Sequence, residues 1–257
     1  MRFVIGLLAL VLFGVGPALA EDATAHRFTA AGSPMDYYVS LPAGWTPERT
    51  WPVIVALPDA TREFTTVMDA FIAARRSKPW IIVVPVVLGS GGVPWRFADV
   101  FGYKPDVFEK AEKDGVCKFD HEGLAAVLQD VRKRFKAEGR AFITGYEAAG
   151  HVIWREVIHN PAAYYGAALV FPNFAGRCVD ETQIKTKTTT PLSIEILRGG
   201  DDKVGVPGSP IDLQIKSAVD YVRGIGHKVE DVTVPGKVRG PFAEEVFDFM
   251  EKVRAGK

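Results

Sequence analysis

The stretch that decides the fold is residues 141–159, which read AFITGYEAAGHVIWREVIH. Its first four residues are three apolar residues followed by a threonine, which is typical of a strand covered on both faces. From residue 148 to residue 159 the pattern indicates a helix. The stretch therefore predicts a strand that turns directly into a helix.

Strands and helices alternate along the rest of the chain in the same way. The predicted strands are 36–41, 51–57, 80–87, 141–144, 167–171, 192–197 and 229–234. The predicted helices are 63–76, 120–136 with Asp120 as its N-cap, 148–159, 211–223 and 242–253. This alternation predicts an α/β fold, a mostly parallel sheet with helices on both faces. In such sheets ligands bind beyond the carboxyl ends of the strands.

Composition narrows the function classes. The 257 residues include 31 basic and 31 acidic side chains, so the balanced charge gives no support to nucleic-acid binding. Metal-binding patterns such as His-x-His, Cys-x-x-Cys and His-Glu-x-x-His are missing from the sequence, so we expect no metal and no cofactor. No linker rich in Gly, Ser or Pro divides residues 21–257, which predicts a single domain.

The N-terminus is typical of a secretory signal peptide over residues 1–20. A basic start is followed by an uncharged stretch over 3–20, which ends in Ala-Leu-Ala before Glu21. The alternative is a membrane anchor, which Gly14, Gly16 and Pro17 disfavour because they would break a spanning helix near its end. We therefore expect a periplasmic or extracellular protein without a stable membrane span after cleavage.

Two cysteines follow, Cys117 and Cys178, so only one intramolecular pairing exists. An oxidising compartment would permit that disulfide, and we predict that it forms. The alternative is a pair of buried free thiols.

Several motifs occur in the order of a known fold. Residues 37–45 read YYVSLPAGW, 51–57 read WPVIVAL, 119–124 read FDHEGL and 142–146 read FITGY. This series resembles the α/β-hydrolase fold, and within it secreted esterases of the polyhydroxybutyrate-depolymerase and feruloyl-esterase type. The resemblance implies a Gly-x-Ser-x-Gly nucleophile turn, an acid after the next-to-last strand and a histidine after the last one.

The catalytic positions implied by this resemblance carry other residues. Glu147 stands where the nucleophile is expected, and Arg239 takes the histidine position. Asp202 fits the acid position, with Asp201 as the second choice. Arginine stays protonated near neutral pH and is a poor general base.

The oxyanion turn also departs from the family pattern. The positions that match it are Pro58, Asp59 and Ala148. Pro58 has no N–H to donate, and the Asp59 carboxylate would oppose a developing negative charge.

Three functions are compatible with these departures. The first is an esterase-like, non-catalytic protein whose cleft binds an unknown small molecule or protein partner, with Glu147, Arg239 and Asp202 in one ionic cluster. The second is an active hydrolase that uses Glu147 as its nucleophile or base. The third is a structural envelope protein. If the turn is misplaced, Glu147 is instead an exposed acidic residue at a helix start.

An aromatic segment follows the strand over 80–87 and is open to two interpretations. Its side chains, at Trp95, Phe97, Phe101 and Tyr103, either wall a pocket or form the packing core of their own loop.

Overall fold

The apolar runs of the sequence form one eight-stranded sheet. The computed structural model describes residues 24–174, 176–179 and 187–256, and the predicted signal peptide over residues 1–20 lies outside them. The strands are β1 (His26–Thr29), β2 (Asp36–Ser40), β3 (Val53–Leu57), β4 (Ile81–Pro85), β5 (Ala141–Tyr146), β6 (Tyr164–Val170), β7 (Ser193–Gly199) and β8 (Lys228–Val234). The α-helices are α1 (Phe64–Arg75), α2 (Ala98–Phe101), α3 (Pro105–Asp114), α4 (Val116–Phe135), α5 (Gly150–His159), α6 (Pro210–Gly224) and α7 (Ala243–Ala255).

The strands lie in the order β1-β2-β4-β3-β5-β6-β7-β8. Strand β2 is antiparallel to its neighbours β1 and β4, and the remaining neighbouring pairs are parallel. The predicted mostly parallel sheet is therefore confirmed. This arrangement brings the segments that follow β5, β7 and β8 to one edge of the sheet.

Helices cover the central strands. Every residue of β3 and β4 is buried, which explains why these strands are continuously apolar in the sequence. Helix α1 packs against α7, and α4 packs against α5. No helix in the described part of the chain has both the length and the apolar character that a bilayer crossing requires.

The predicted boundary at Asp120 is wrong. Helix α4 begins four residues earlier, at Val116, so Asp120 lies inside the helix. Its carboxylate accepts the backbone N–H groups of Leu88 at 2.7 Å and Gly89 at 2.6 Å. Asp120 therefore accepts backbone N–H groups, as an N-cap would. The groups belong to the segment after β4, however, and not to the first turn of its own helix.

Other boundaries differ by a few residues. Strand β3 starts at Val53 because Pro52 cannot donate to a ladder, and Trp51 instead forms an isolated bridge with Ala137. Strand β6 starts at Tyr164, three residues before the predicted position. The elements missed altogether are β1, α2 and α3. They are short or exposed, and so they lack the long apolar pattern on which the prediction depended.

Candidate functional site

A tight strand-to-helix turn follows β5 and places Glu147 at the carboxyl edge of the sheet. The residue has a φ of +45°, in the left-handed region that L-residues other than glycine rarely occupy. A short 3₁₀ turn, Glu147–Ala149, then leads into α5. The side chain of Glu147 is therefore presented by a strained backbone between two buried elements.

Small residues on both sides allow this turn. A Cβ at Gly145 would lie 2.5 Å from the Ala149 Cβ, and a Cβ at Gly150 would lie 2.6 Å from the carbonyl oxygen of Asn173. The backbone N–H of Asn173 donates to the carbonyl of Glu147 at 3.0 Å. The chain after β6 thus packs directly on the turn, which explains why larger side chains do not fit there.

The structure brings Glu147, Arg239 and Asp202 together, as expected from the sequence. Arg239 donates from Nη1 to Glu147 Oε1 and from Nε to Asp202 Oδ1, the latter at 3.1 Å. We call these three residues the Arg239 cluster. Its arginine is 32% exposed, Glu147 is 24% exposed and Asp202 is 5% exposed, so the cluster is shielded but open to water on one side.

Asp202, and not Asp201, joins the cluster. Its carboxylate also accepts the backbone N–H groups of Gly205 at 2.7 Å and Val204 at 3.3 Å. Asp201 is exposed, and its backbone N–H donates to the Lys237 carbonyl at 3.0 Å. Asp201 therefore joins the loops after β7 and β8 through its backbone alone.

The charges of the cluster are mutually stabilised. Burial by itself would raise the pKa of Asp202, but the two backbone hydrogen bonds and Arg239 outweigh it, so this pKa is lowered. Burial would lower the pKa of Arg239, and its contacts with Asp202 and Glu147 raise it instead. Both groups are therefore ionised at neutral pH.

Tyr146 completes the surroundings of the Glu147 carboxylate. Its hydroxyl donates to Glu147 Oε1 at 3.0 Å. Burial and the negative charge of Glu147 raise the pKa of Tyr146, so the phenol stays protonated and keeps donating. Sequence reasoning did not assign Tyr146 a role, although its position next to Glu147 was a usable signal.

The turn after β3 and the 3₁₀ segment at Ala148 both lie next to Gly91 of the loop after β4. Pro58 is buried, and the Asp59 carboxylate accepts the backbone N–H of Thr61 at 2.9 Å and its hydroxyl at 2.5 Å. A Cβ at Gly91 would lie 3.2 Å from the Ala60 Cβ and 3.4 Å from the Ala148 Cβ. The loop after β4 therefore closes against both the turn and the start of the 3₁₀ segment.

Arg62 holds that closure in place, and sequence reasoning missed it. Its guanidinium donates to the carbonyl oxygens of Ala60, at 2.5 Å, and Gly91, and lies 4.1 Å from the centroid of the Phe97 ring. Burial lowers the pKa of Arg62. Hydrogen-bonding to neutral carbonyls and stacking on an aromatic ring make Arg62 a brace for the loop.

His151 lies on α5, one turn beyond Glu147, and is buried. Burial and the nearby positive charge of Arg177 lower its pKa to about 4, so the imidazole is neutral at pH 7. Among the described side chains, only Tyr146 and Arg239 hydrogen-bond the Glu147 carboxylate. A histidine base is therefore not paired with Glu147.

The predicted disulfide between Cys117 and Cys178 is present, with the two Cα atoms 5.4 Å apart. It connects the first turn of α4 to the segment after β6. Arg155 of α5 donates to the Cys178 carbonyl at 3.1 Å. The segment that packs on the Glu147 turn is thus fastened to two helices.

Comparison with solved structures gives the class of fold. A thermostable esterase superposes with a TM-score of 0.53 at 16% identity, over 90% of this chain and 62% of that one. A siderophore hydrolase from Aspergillus nidulans matches with a TM-score of 0.57 at 15% identity, over 92% and 96% of the two chains. Together with the sheet order, these likenesses show that the chain has the α/β-hydrolase fold.

Some of the matching proteins are much longer. Porphyromonas gingivalis dipeptidyl peptidase 4 has a TM-score of 0.59 at 10% identity, with 90% of this chain covering 34% of that one. The chain thus spans about a third of that peptidase and under two thirds of the thermostable esterase. No family model and no curated protein matches the sequence.

Proposed function

We propose that this protein is an exported, esterase-like α/β-hydrolase-fold protein that has lost acyl-transfer chemistry and uses its cleft to bind a ligand or partner. The observation that carries the proposal is the Arg239 cluster. The turn at Glu147 has the strained strand-to-helix geometry of a nucleophile elbow, but it presents a carboxylate and not a hydroxyl. The neighbouring positive charge is a permanently protonated arginine.

The positions of the other two residues support the same proposal. Asp202 follows β7 and Arg239 follows β8, which are the places where this fold carries its acid and its histidine. We therefore take Glu147, Asp202 and Arg239 as equivalents of a Ser-Asp-His triad. An arginine that bridges two carboxylates fills this site with an ion cluster and leaves no nucleophile-base pair.

The residues at the oxyanion turn also support the loss of acyl transfer. Pro58 provides no N–H, and the Asp59 carboxylate introduces negative charge next to the turn. Loss of a single oxyanion donor costs about 10²–10³ in rate, so these changes together would suppress any remaining acyl transfer.

Activated-ester turnover tests this proposal. We expect no hydrolysis of p-nitrophenyl acetate or butyrate above the rate of the Glu147→Ala variant. The double variant Glu147→Ser with Arg239→His restores a hydroxyl and an imidazole, and we expect it to remain poor because Pro58 and Asp59 are unchanged. Wild-type turnover that Glu147→Ala abolishes would overturn the proposal.

The second candidate is an active hydrolase in which Glu147 is a carboxylate nucleophile. Its ion pair with Arg239 and its hydrogen bond from Tyr146 argue against it, because both lower the nucleophilicity of the carboxylate. Attack of the Glu147 carboxylate on an acyl ester would displace the alcohol and form a mixed anhydride. In H₂¹⁸O, water that attacks the Glu147 carbonyl carbon of this anhydride would release the substrate acid and leave the label in the Glu147 carboxylate. We expect no incorporation when peptides that contain Glu147 are analysed by mass spectrometry.

Export is supported by the disulfide, since such bonds persist in oxidising compartments. Expression of the full chain in a bacterial host and N-terminal sequencing of the periplasmic fraction provides the test. We expect a mature chain that starts at Glu21. Uncleaved protein that stays in the cytoplasm with two free thiols would contradict this part of the proposal.

A further inference from the structure

A second surface, independent of the Arg239 cluster, lies on the chain between β4 and α4. It is a groove of about 690 Å³ between α2 and α3, which we call the α2–α3 groove. Its apolar lining includes Trp95, Tyr103, Pro105 and Phe108. The aromatic segment thus forms both a pocket wall and a packing core. Trp95 lines the groove, whereas Phe101 is fully buried in the core of the loop.

The floor of the groove is held rigidly. The Tyr103 hydroxyl donates to the Val86 carbonyl at 2.7 Å and accepts the backbone N–H of Asp36 at 3.0 Å. The Tyr103 ring stacks parallel to Phe101 and meets Phe108 edge-on, with centroids 6.4 and 6.0 Å apart. Because the polar end of Tyr103 is fully used inside the protein, the groove receives only its ring.

Three large apolar side chains are exposed in the segment that leads into the groove, and of these Trp95 lines the groove itself. Trp95 is 45% exposed, Phe97 43% and Val100 49%, and these are three of the seven large hydrophobic residues that the described chain exposes. Apolar surface that is exposed at a groove marks an interaction site more often than a scattered apolar residue does.

The rim of the groove is acidic. Asp99, Glu109 and Glu112 line it together with the aromatic residues, and no lysine or arginine lines it. None of the three carboxylates forms an ion pair with a residue in the described ranges, whereas Lys110 on the same helix is already paired with Asp114 at 2.5 Å. The groove lining therefore carries three carboxylates without an ion pair to a described side chain, while Arg96, Lys104 and Lys113 lie close to it in sequence but do not line it.

The spacing of the carboxylates limits what fits. Glu109 and Glu112 are three residues apart on α3, so they share one face of that helix, and Asp99 projects from α2. Because the groove has an apolar floor between carboxylates, it is complementary to a peptide in which cationic side chains flank an apolar one. Charge complementarity at the rim and an aromatic anchor such as Trp95 are the features that give an interface its specificity and its affinity.

We propose that the α2–α3 groove binds a basic segment of a partner protein, in which arginine or lysine residues flank a bulky apolar residue. The apolar side chain packs on Trp95 and Phe108, and the cationic side chains pair with Asp99, Glu109 and Glu112. The inference does not depend on the absence of catalysis, because the groove is separate from the Glu147 turn.

Fluorescence anisotropy with the mature wild-type chain tests the inference. The probe is a labelled ten-residue peptide that alternates arginine and leucine, and the comparison peptides alternate glutamate with leucine and arginine with serine. We expect only the arginine-leucine peptide to bind, with affinity that falls as NaCl rises from about 0.05 to 0.5 M. Equal binding of the arginine-serine peptide would overturn the proposal, because the apolar floor would then contribute nothing.

Variants locate the binding. We expect Trp95→Ala to weaken the arginine-leucine peptide about tenfold, and Glu109→Gln with Glu112→Gln to weaken it about three- to tenfold at low salt. The matched controls are Leu213→Ala, which removes another exposed apolar side chain, and Glu48→Gln with Asp220→Asn, which removes the same charge elsewhere. Binding that the controls weaken as much as the groove variants do would contradict this location.

Discussion

Two arginines of this protein each bridge two carboxylates, but they do so in different surroundings. Arg198 of β7 binds Asp231 of β8 through two hydrogen bonds of 2.8 and 2.7 Å, and it binds Asp212 of α6 at 2.6 Å. This Arg198 cluster connects regular elements, and its arginine is only 13% exposed. The Arg239 cluster connects three loops at the carboxyl edge of the sheet, and its arginine is 32% exposed.

The comparison shows that an arginine bound to two carboxylates can have two roles. The Arg198 cluster holds the scaffold together, whereas the Arg239 cluster lies at the edge of the sheet where this fold binds ligands. Asp212 is also held by Lys216 at 2.8 Å and by the backbone N–H of Gly208 at 2.7 Å. Glu147, by contrast, has a left-handed backbone with a φ of +45° in the turn between β5 and α5. Strain of this kind is characteristic of functional sites, so it sets the Arg239 cluster apart from the Arg198 cluster.

The largest effect is expected for Arg198→Ala. Removing a mostly buried partner leaves Asp212 desolvated, and Lys216 and Gly208 compensate only in part. We expect the free energy of unfolding to fall by about 2–4 kcal/mol in urea titrations at pH 7. Arg76→Ala is the control because Arg76 and Glu244 form an exposed pair, for which about 0–1 kcal/mol is expected. Equal losses in the two variants would contradict the structural role of Arg198.

A smaller effect is expected for Arg239→Ala. Asp202 keeps two backbone hydrogen bonds and Glu147 keeps that of Tyr146, and water reaches the cluster. We expect a loss of about 1–2 kcal/mol by the same titration, between the buried and exposed limits for ion pairs. A loss of unfolding free energy as large as that of Arg198→Ala would contradict the difference between the two clusters, because both would then stabilise the fold equally.

The pH dependence of these losses follows from the carboxylates. The pKa of Asp212 is lowered, mainly by Lys216 together with the Gly208 N–H and Arg198, and that of Asp202 is lowered as well. A lowered folded-state pKa contributes stability above the unfolded pKa, near 4, and this contribution is lost as the pH falls through the folded pKa. We therefore expect the difference between wild type and Arg198→Ala to be constant from pH 7 to 5 and to shrink below pH 4. A difference that grows on acidification would reverse the sign and refute the assignment.

The smallest effect concerns the backbone at Glu147. Glu147→Ala and Glu147→Gly both remove the carboxylate, but only glycine accommodates a φ of +45° without strain. We expect the glycine variant to be more stable than the alanine variant by about 1 kcal/mol in thermal or urea unfolding. Alanine at least as stable as glycine would show that the turn is not strained and would remove the contrast with the Arg198 cluster.

Much of the fold was predictable because its central strands are buried on both faces. The runs at β3, β4 and β5 are apolar for that reason, and periodicity recovers them within a few residues. Strand β1 was not predictable because four mostly exposed residues have no apolar pattern, and its pairing with β2 alone defines it. The role predicted for Asp120 was wrong because its hydrogen-bond partners, Leu88 and Gly89, are distant from it in sequence.

The contact between Glu147 and Arg239 in the candidate site was predictable, because the two side chains carry opposite charges. Glu147 and Arg239 stand at two motif positions, and each needs a counter-charge when it is partly buried, so their contact follows from the sequence. The brace formed by Arg62 and Gly91 did not follow, because it depends on how two loops approach each other. The acidic rim of the α2–α3 groove did not follow either, since Asp99 and Glu109 line one groove only when α2 and α3 pack side by side.

Reaction of the wild-type protein with a fluorophosphonate tests the central claim, the loss of acyl-transfer chemistry, most directly. Intact-mass spectrometry after incubation with excess probe would detect a covalent adduct on any activated serine. We expect no mass increase in the wild type or in Glu147→Ala, each compared with its own untreated sample, alongside a serine esterase that is fully labelled under the same conditions. A stoichiometric adduct on the wild-type chain, mapped to Ser90, Ser193 or Ser209, would show that a catalytic serine exists and would contradict the account.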